Sequence, residues 1–159
     1  MTLFDSISHS DHLHQQPRFR PLYPNDNVVR FLMASRSLLK KSPARFLEIG
    51  MGAGRHCKLA MEVGFEAFGL DISLAGLQHA GEPAPIRNSS GSGARVDART
   101  SRFEDRGVAA ALSYGVFYYG TADEMKQAIL EVNRVLISDS RRQGVFCPPY
   151  QRRLQGWQG

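Results

Sequence analysis

The chain of 159 residues, 42% of them hydrophobic, is long enough for one domain with a packed core. No apolar run approaches the roughly 18 residues of a membrane span, and the N-terminus lacks the apolar core of a signal peptide, so we expect a cytoplasmic protein with no membrane partner. A net charge of +5 is compatible with a nucleic-acid partner. The excess of basic over acidic residues, however, lies in two stretches, 85–106 and 138–159, that contain no lysine and no helical or strand periodicity. We therefore expect no nucleic-acid partner.

The beginning of the chain is polar, and we expect residues 1–20 to form a disordered, solvated tail. His9, His12 and His14 lie close together in this tail, but no further ligands at a known metal spacing follow them. The two cysteines of the chain are far apart and form no CxxC pair, which argues against structural zinc and against a disulfide framework. We therefore predict no metal site.

An ordered domain is predicted to begin at residue 21. The prolines at positions 21 and 24 restrict the backbone around them, so this segment is extended or turning. Apolar residues recur at helical spacing from Val28 to Lys40, which predicts a helix that Asn25 or Asp26 can cap.

The most informative stretch covers residues 46–71 and reads FLEIGMGAGRHCKLAMEVGFEAFGLD. A short apolar run predicts a strand over Phe46–Ile49, and the glycines at positions 50, 52 and 54 then predict a tight turn. Glycine takes positive φ without steric cost and lets a ligand approach the main chain closely. Apolar spacing predicts a helix over Arg55–Val63 and a buried strand over Phe65–Leu70, with Asp71 at its carboxyl end.

Strand, glycine turn, helix, strand and acid in this order form the βαβ plan of a site for an adenosine-containing cofactor. The dinucleotide fingerprint GxGxxG would need a glycine where this chain has Arg55, which counts against the nicotinamide-dependent oxidoreductases. The pattern present is instead E-x-G-x-G-x-G, from Glu48 to Gly54. It resembles motif I of the class I S-adenosylmethionine-dependent methyltransferases, and Asp71 falls where that family keeps its ribose-binding acid.

The resemblance implies an α/β fold of the Rossmann-like kind, with a mostly parallel sheet and flanking helices. It implies S-adenosyl-L-methionine as the cofactor and an enzyme that transfers a methyl group to an unidentified small-molecule acceptor. The cofactor-binding residues that it implies are Glu48, Gly50, Gly52, Gly54, Asp71, Asp97, Ala98 and Ser113. Among them the glycines admit the cofactor, Glu48 orients the turn and the methionine end, and Asp71 accepts hydrogen bonds from the ribose hydroxyls. We assign no catalytic residue, since methyl transfer to a good nucleophile can proceed without a base.

After the second strand the pattern weakens. Ser73 is a suitable N-cap for a short helix over Leu74–Ala80, and a loop with little apolar content follows. Arg95–Ala98 reads as a weak third strand, in which Asp97 and Ala98 match by position the family residues that hold the adenine.

A second informative stretch predicts a buried strand over Ala109–Ser113. Its carboxyl end continues as Ser113–Tyr119, which is where ligands bind in open α/β sheets. Tyr118 is a candidate for positioning the nucleophile of the acceptor, and for any single tyrosine of this segment packing under the next helix is the preferred alternative. Tyr23 lies in a lead-in that resembles one methyltransferase subgroup, and it is a candidate contact for cofactor or acceptor; packing on its own helix is the alternative.

The last predicted helix has clear limits. Thr121 and Glu124 form a capping box at its start, and the helix runs through Leu136. Residues 131–136 resemble the family's E-x-x-R-V-L, after which the family pattern stops. We therefore divide the chain into a tail over 1–20, a methyltransferase-like domain over 21–137 and an irregular tail over 138–159.

We interpret the loss of pattern as truncation or a frameshift, because residues 85–106 and 138–159 are rich in Arg, Ser, Gly and Pro and lack lysine. A divergent insertion and a naturally short terminus are the alternative explanation. A sheet without its last strands has an open edge, so we expect an oligomer or a partner chain to cover that edge. A nicotinamide-dependent Rossmann oxidoreductase and a non-catalytic methyltransferase fragment are the alternative functions.

Overall fold

The structure is a computed structural model that describes residues 3–39, 44–80, 103–116, 121–137 and 145–146. The predicted strand at 95–98, with Asp97 and Ala98, lies outside these ranges, and so does Tyr118. The helices and strands of the described ranges are, in chain order, α1 Leu3–Gln15, α2 Asp26–Leu38, β1 Ala44–Ile49, α3 Arg55–Glu62, β2 Phe65–Leu70, α4 Leu74–His79, β3 Ala110–Ser113, α5 Ala122–Val135 and β4 Val145–Phe146. Within those ranges no helix is long and apolar enough to cross a membrane.

The strands form one sheet in the order β2-β1-β3-β4, in which every neighbouring pair is parallel. From β1 the chain passes through α3 to β2 on one side, whereas β3 pairs with the other side of β1. The order of the strands therefore reverses between β1 and β3. The carboxyl ends of β1 and β3 meet there, which is where open α/β sheets hold their ligands. The Rossmann-like, mostly parallel sheet implied by the sequence is confirmed.

Each strand contributes alternate residues to the two faces of the sheet, because successive side chains of a strand point in opposite directions. Phe46 and Leu112 face a cluster that α2 and α3 cover, whereas Leu47 and Ile49 face a second cluster that α5 covers. Both faces of the central strand are buried, which is why its sequence reads as a nearly continuous apolar run.

The helix starts follow their predicted capping signals. The Asn25 side chain accepts a hydrogen bond from the Asn27 N–H at 3.0 Å, and the Ser73 hydroxyl accepts one from the Gly76 N–H at 3.0 Å. Thr121 and Glu124 form the reciprocal capping box at the start of α5. Each cap satisfies backbone donors that the first turn of a helix leaves without an intrahelical partner.

The E-x-x-R segment of α5 anchors the chain that enters β3. Arg134 donates to the Glu131 carboxylate at 2.7 Å and to the Phe103 carbonyl at 2.9 Å, and it also pairs with Asp105. Close to Arg134 in the chain, Leu136 forms an isolated parallel β-bridge with Val108. This arginine therefore joins two segments that are about 30 residues apart in the chain.

The structure corrects the prediction of a disordered tail over residues 1–20. Residues Leu3–Gln15 form α1, and a short 3₁₀ turn follows at Pro17–Phe19. The helix packs against α4. The Asp11 carboxylate accepts hydrogen bonds from the Ser73 hydroxyl at 2.8 Å and from the Ala75 N–H at 3.1 Å. These tertiary contacts order a polar segment that lacks a strong helical pattern of its own.

We expect Asp11→Ala to release α1 from α4, because it removes the acceptor of both hydrogen bonds. Leaving such donors unsatisfied costs about 1–3 kcal/mol. Hydrogen exchange should show faster exchange of the α1 amides, while the amides of β1 stay protected. His9→Ala is the matched control, because His9 lies on the exposed side of the same helix. Equal exchange of α1 in the two variants would contradict this role of Asp11.

Candidate functional site

The glycine turn after β1 adopts a backbone that other residues take only with strain. Gly50, Gly52 and Gly54 have φ values of 72°, 52° and 75°. The turn is held against the end of β2, because the Gly50 and Met51 N–H groups both donate to the Leu70 carbonyl, at 2.7 and 3.1 Å. At Gly50 a Cβ atom would also lie 1.9 Å from Cγ2 of Val116. A side chain at this position is therefore excluded by both strain and overlap.

Asp71 connects the glycine turn to the start of α4. One oxygen of its carboxylate accepts from the Gly52 N–H at 2.7 Å, and the other accepts from the Ser73 N–H at 2.7 Å. Burial raises the pKa of Asp71, while these two backbone donors and the nearby His14 oppose that rise. A carboxylate offers about four lone-pair sites, so this one keeps acceptor capacity beyond the two backbone bonds.

Glu48 lies 1% exposed beneath the turn, and both of its carboxylate oxygens have protein partners. Oε1 lies 2.7 Å from Nδ1 of His56, and Oε2 accepts from the Cys57 thiol at 3.3 Å. His56 Nε2 in turn accepts from the Asn25 N–H at 3.4 Å, so the neutral ring carries its hydrogen on Nδ1 and donates it to Glu48. Glu48 therefore holds the first turn of α3, which directly follows the glycine turn in the chain.

The lead-in to α2 is held beside the glycine turn by its backbone. Arg55 donates to the Tyr23 carbonyl at 3.0 Å, and its guanidinium lies 5.8 Å from the centre of the Tyr114 ring. The Tyr114 ring also meets the His56 ring edge-on at 5.4 Å. The Tyr23 side chain itself is 81% exposed, so it does not pack on its own helix.

Ser113 ends β3 and pairs in register with Ile49, the residue before the first glycine of the turn. Its side chain is buried, and its hydroxyl has no hydrogen-bond partner within the described ranges. Buried hydroxyls are normally paired. This one lies at the crevice between β1 and β3, where a polar ligand would supply the missing partner.

The structure thus brings Glu48, the three glycines, Asp71 and Ser113 to one edge of the sheet. Sequence reasoning missed His56 and Cys57. Their signal was present, because the first turn of α3 follows the glycine turn directly and must lie over the end of β1. In the part of the chain that the structure describes, no group of three His, Cys, Asp or Glu residues could hold a metal ion.

Comparison with known proteins identifies the kind of domain. The sequence profile of the methyltransferase domain family matches residues 47–141, more than half of the chain. No curated protein is significantly similar in sequence. Many solved structures share the fold. The PH0226 protein of Pyrococcus horikoshii matches with 25% identity and a TM-score of 0.52, over 70% of this chain and 52% of that one.

Two further solved structures match at lower identity and show the shared fold. A SAM-dependent methyltransferase from Archaeoglobus fulgidus has 17% identity and a TM-score of 0.55, over 70% of this chain and 48% of that one. A candidate methyltransferase of Haloferax volcanii was solved in complex with the Trm112 methyltransferase activator. It has 18% identity and a TM-score of 0.57, over 80% of this chain and 55% of that one. The chain spans about half the length of the solved structures it matches.

We expect His56→Ala to destabilise the fold strongly, because it leaves the buried Glu48 carboxylate without its main partner. Leaving a buried hydrogen-bonding group unsatisfied costs about 1–3 kcal/mol, and more where the group is charged, as a carboxylate is. Urea unfolding followed by circular dichroism measures the loss. Lys58→Ala is the matched control, since Lys58 is exposed on the same helix. A His56→Ala protein as stable as the control would show that Glu48 does not depend on this pair.

The Cys57 thiol should react slowly in the folded protein. Burial raises its pKa, and the charge of Glu48 and the hydrogen bond to it raise the pKa further, so little thiolate forms at neutral pH. In a Cys147→Ser background, we expect iodoacetamide to modify Cys57 at least about tenfold more slowly in buffer than in denaturant. Equal rates under the two conditions would contradict the buried position of this thiol.

Proposed function

The chain belongs to the methyltransferase domain family, and on that premise we propose that it transfers the methyl group of S-adenosyl-L-methionine to a small-molecule acceptor. The observation that carries this proposal is the Gly52 N–H bond to Asp71, which ties the glycine turn to the acid that follows β2. At the crevice of the sheet, this bond connects two parts of the site. One is a main-chain segment that a ligand can approach closely, and the other is a carboxylate that can hold a ribose.

The described residues fit such a cofactor. Asp71 retains acceptor capacity for ribose hydroxyls, because its two backbone bonds use about half of its lone pairs. The buried hydroxyl of Ser113 lacks a partner and lies at the same edge. We propose that Gly50, Gly52 and Gly54 admit the methionyl and ribose parts, and that Ser113 binds the methionine end.

Glu48 takes an indirect role in this proposal. Glu48 is 1% exposed and is bonded to His56 and Cys57, so we propose that it orients the glycine turn from within the core and does not touch the cofactor. Asp97 and Ala98 remain proposed to hold the adenine, on the strength of their positions in the sequence.

When bound, S-adenosyl-L-methionine supplies an electrophilic methyl group on a positively charged sulfur. Its transfer to an oxygen, nitrogen or carbon nucleophile would break the carbon–sulfur bond and leave the electron pair of that bond on sulfur. A nucleophile that carries a proton releases it to solvent. The protein contributes mainly orientation in this scheme. Tyr23 and Tyr118 are the proposed acceptor-side residues, and we assign no catalytic base.

We further propose that a second chain covers the sheet edge at β4, which ends the described sheet. Exposed strand edges are ready sites for pairing. The Haloferax volcanii structure contains a methyltransferase activator bound to a protein of this fold, which supports a protein partner. The cytoplasmic location stays a prediction from the sequence.

Calorimetric titration of the purified chain with S-adenosylhomocysteine tests the proposal, with NAD as the competing ligand. We expect binding of S-adenosylhomocysteine alone, and we expect Asp71→Asn to weaken it about tenfold or more, the value of a hydrogen bond to a charged group. Asp123→Asn is the matched control, because Asp123 is exposed on α5. Binding of NAD without S-adenosylhomocysteine would favour the oxidoreductase alternative, and binding of neither would favour a non-catalytic fragment.

A further inference from the structure

Helix α1 brings a histidine onto the glycine turn. His14 Nε2 lies 3.0 Å from the position that a Cβ atom would take on Gly52. The other ring nitrogen, Nδ1, lies 3.2 Å from the corresponding position on Gly76, in the first turn of α4. The imidazole therefore lies between the glycine turn and α4, against two residues whose lack of a side chain leaves room for it.

Two properties of His14 point to a ligand at this place. Its Nδ1 atom is buried and has no hydrogen-bond partner among the residues that the structure describes. A buried nitrogen that remains unpaired costs free energy that a polar ligand would restore. The ring is also close enough to Asp71 to act electrostatically on its carboxylate.

The position of His14 is fixed by Asp11. These residues are three apart in α1 and therefore lie on the same side of the helix. Asp11 binds the Ser73 hydroxyl and the Ala75 N–H, at the start of α4. Ser73 is also the second backbone donor to Asp71, so one short segment positions both the acid and the helix that carries His14.

We propose that His14 is a further cofactor-binding residue and that α1 forms the wall of the pocket on the side of the ribose. The chemistry of the two side chains is complementary. The Asp71 carboxylate only accepts hydrogen bonds, whereas a neutral imidazole with its hydrogen on Nδ1 donates one. A ribose hydroxyl can donate to Asp71 and accept from His14 at once. This inference rests on the proposed function, since it assumes a ribose at Asp71.

Titration of His14→Ala with S-adenosylhomocysteine tests the inference, with His9→Ala as the matched control on the exposed side of the same helix. We expect affinity to fall about fivefold to tenfold for His14→Ala, the value of one hydrogen bond, and to change less than about twofold for His9→Ala. The difference should vanish with an analogue that lacks both ribose hydroxyls.

The outcomes separate the inference from the proposed function. No binding by the unaltered chain contradicts the proposed function itself. If the unaltered chain binds and His14→Ala binds with equal or higher affinity, only the role of His14 is overturned. A higher affinity of the variant would mean that His14 occludes the pocket. A loss that persists with the analogue overturns the contact with the ribose.

Hydrogen exchange of the unaltered chain gives a second measurement that does not depend on the folding of a variant. We expect the amides of α1 to gain protection when S-adenosylhomocysteine binds, because the ligand adds a contact to His14. Unchanged or reduced protection of α1 in a chain that does bind the ligand would overturn the inference.

Discussion

The carboxylate of Asp71 holds the site together, because it joins two segments that the sheet alone would not connect. Through Gly52 it fixes the backbone of the turn after β1, and through Ser73 it fixes the start of α4. The hydroxyl of the same Ser73 donates a hydrogen bond to Asp11 and thereby anchors α1. The glycine turn, α4 and the N-terminal helix therefore all depend on one buried acid, and loss of that acid would disturb each of their positions.

Two acids are buried at the same edge of the sheet, and they are stabilised in different ways. Glu48 is the penultimate residue of β1 and is paired with an imidazole and a thiol from the first turn of α3. Asp71 follows β2 and is paired with two backbone N–H groups. Each carboxylate accepts two hydrogen bonds and keeps further lone pairs, but Glu48 is 1% exposed whereas Asp71 is 7% exposed. The acceptor capacity that remains is therefore more accessible at Asp71 than at Glu48.

The sequence predicted the elements whose signals are local. The strand over Phe65–Leu70 was placed to the residue, and the capping box at Thr121 marked the start of α5. The resemblance to motif I also identified the family correctly. Helix α1 was missed, because its polar sequence gives a weak periodic signal and its order comes from contacts with residues more than 60 positions away. His56 was missed for a related reason, since its partners are set by how α3 lies over β1.

The docking of α1 also constrains the order in which the chain can fold. Residues 3–15 leave the ribosome before β2 and α4, but the surface that orders them forms only after those two elements are in place. Contacts between residues so distant in sequence carry a large loop-closure cost and form late. This segment is therefore synthesised before the surface that orders it, and His14 stays open to solvent until the downstream half of the site exists.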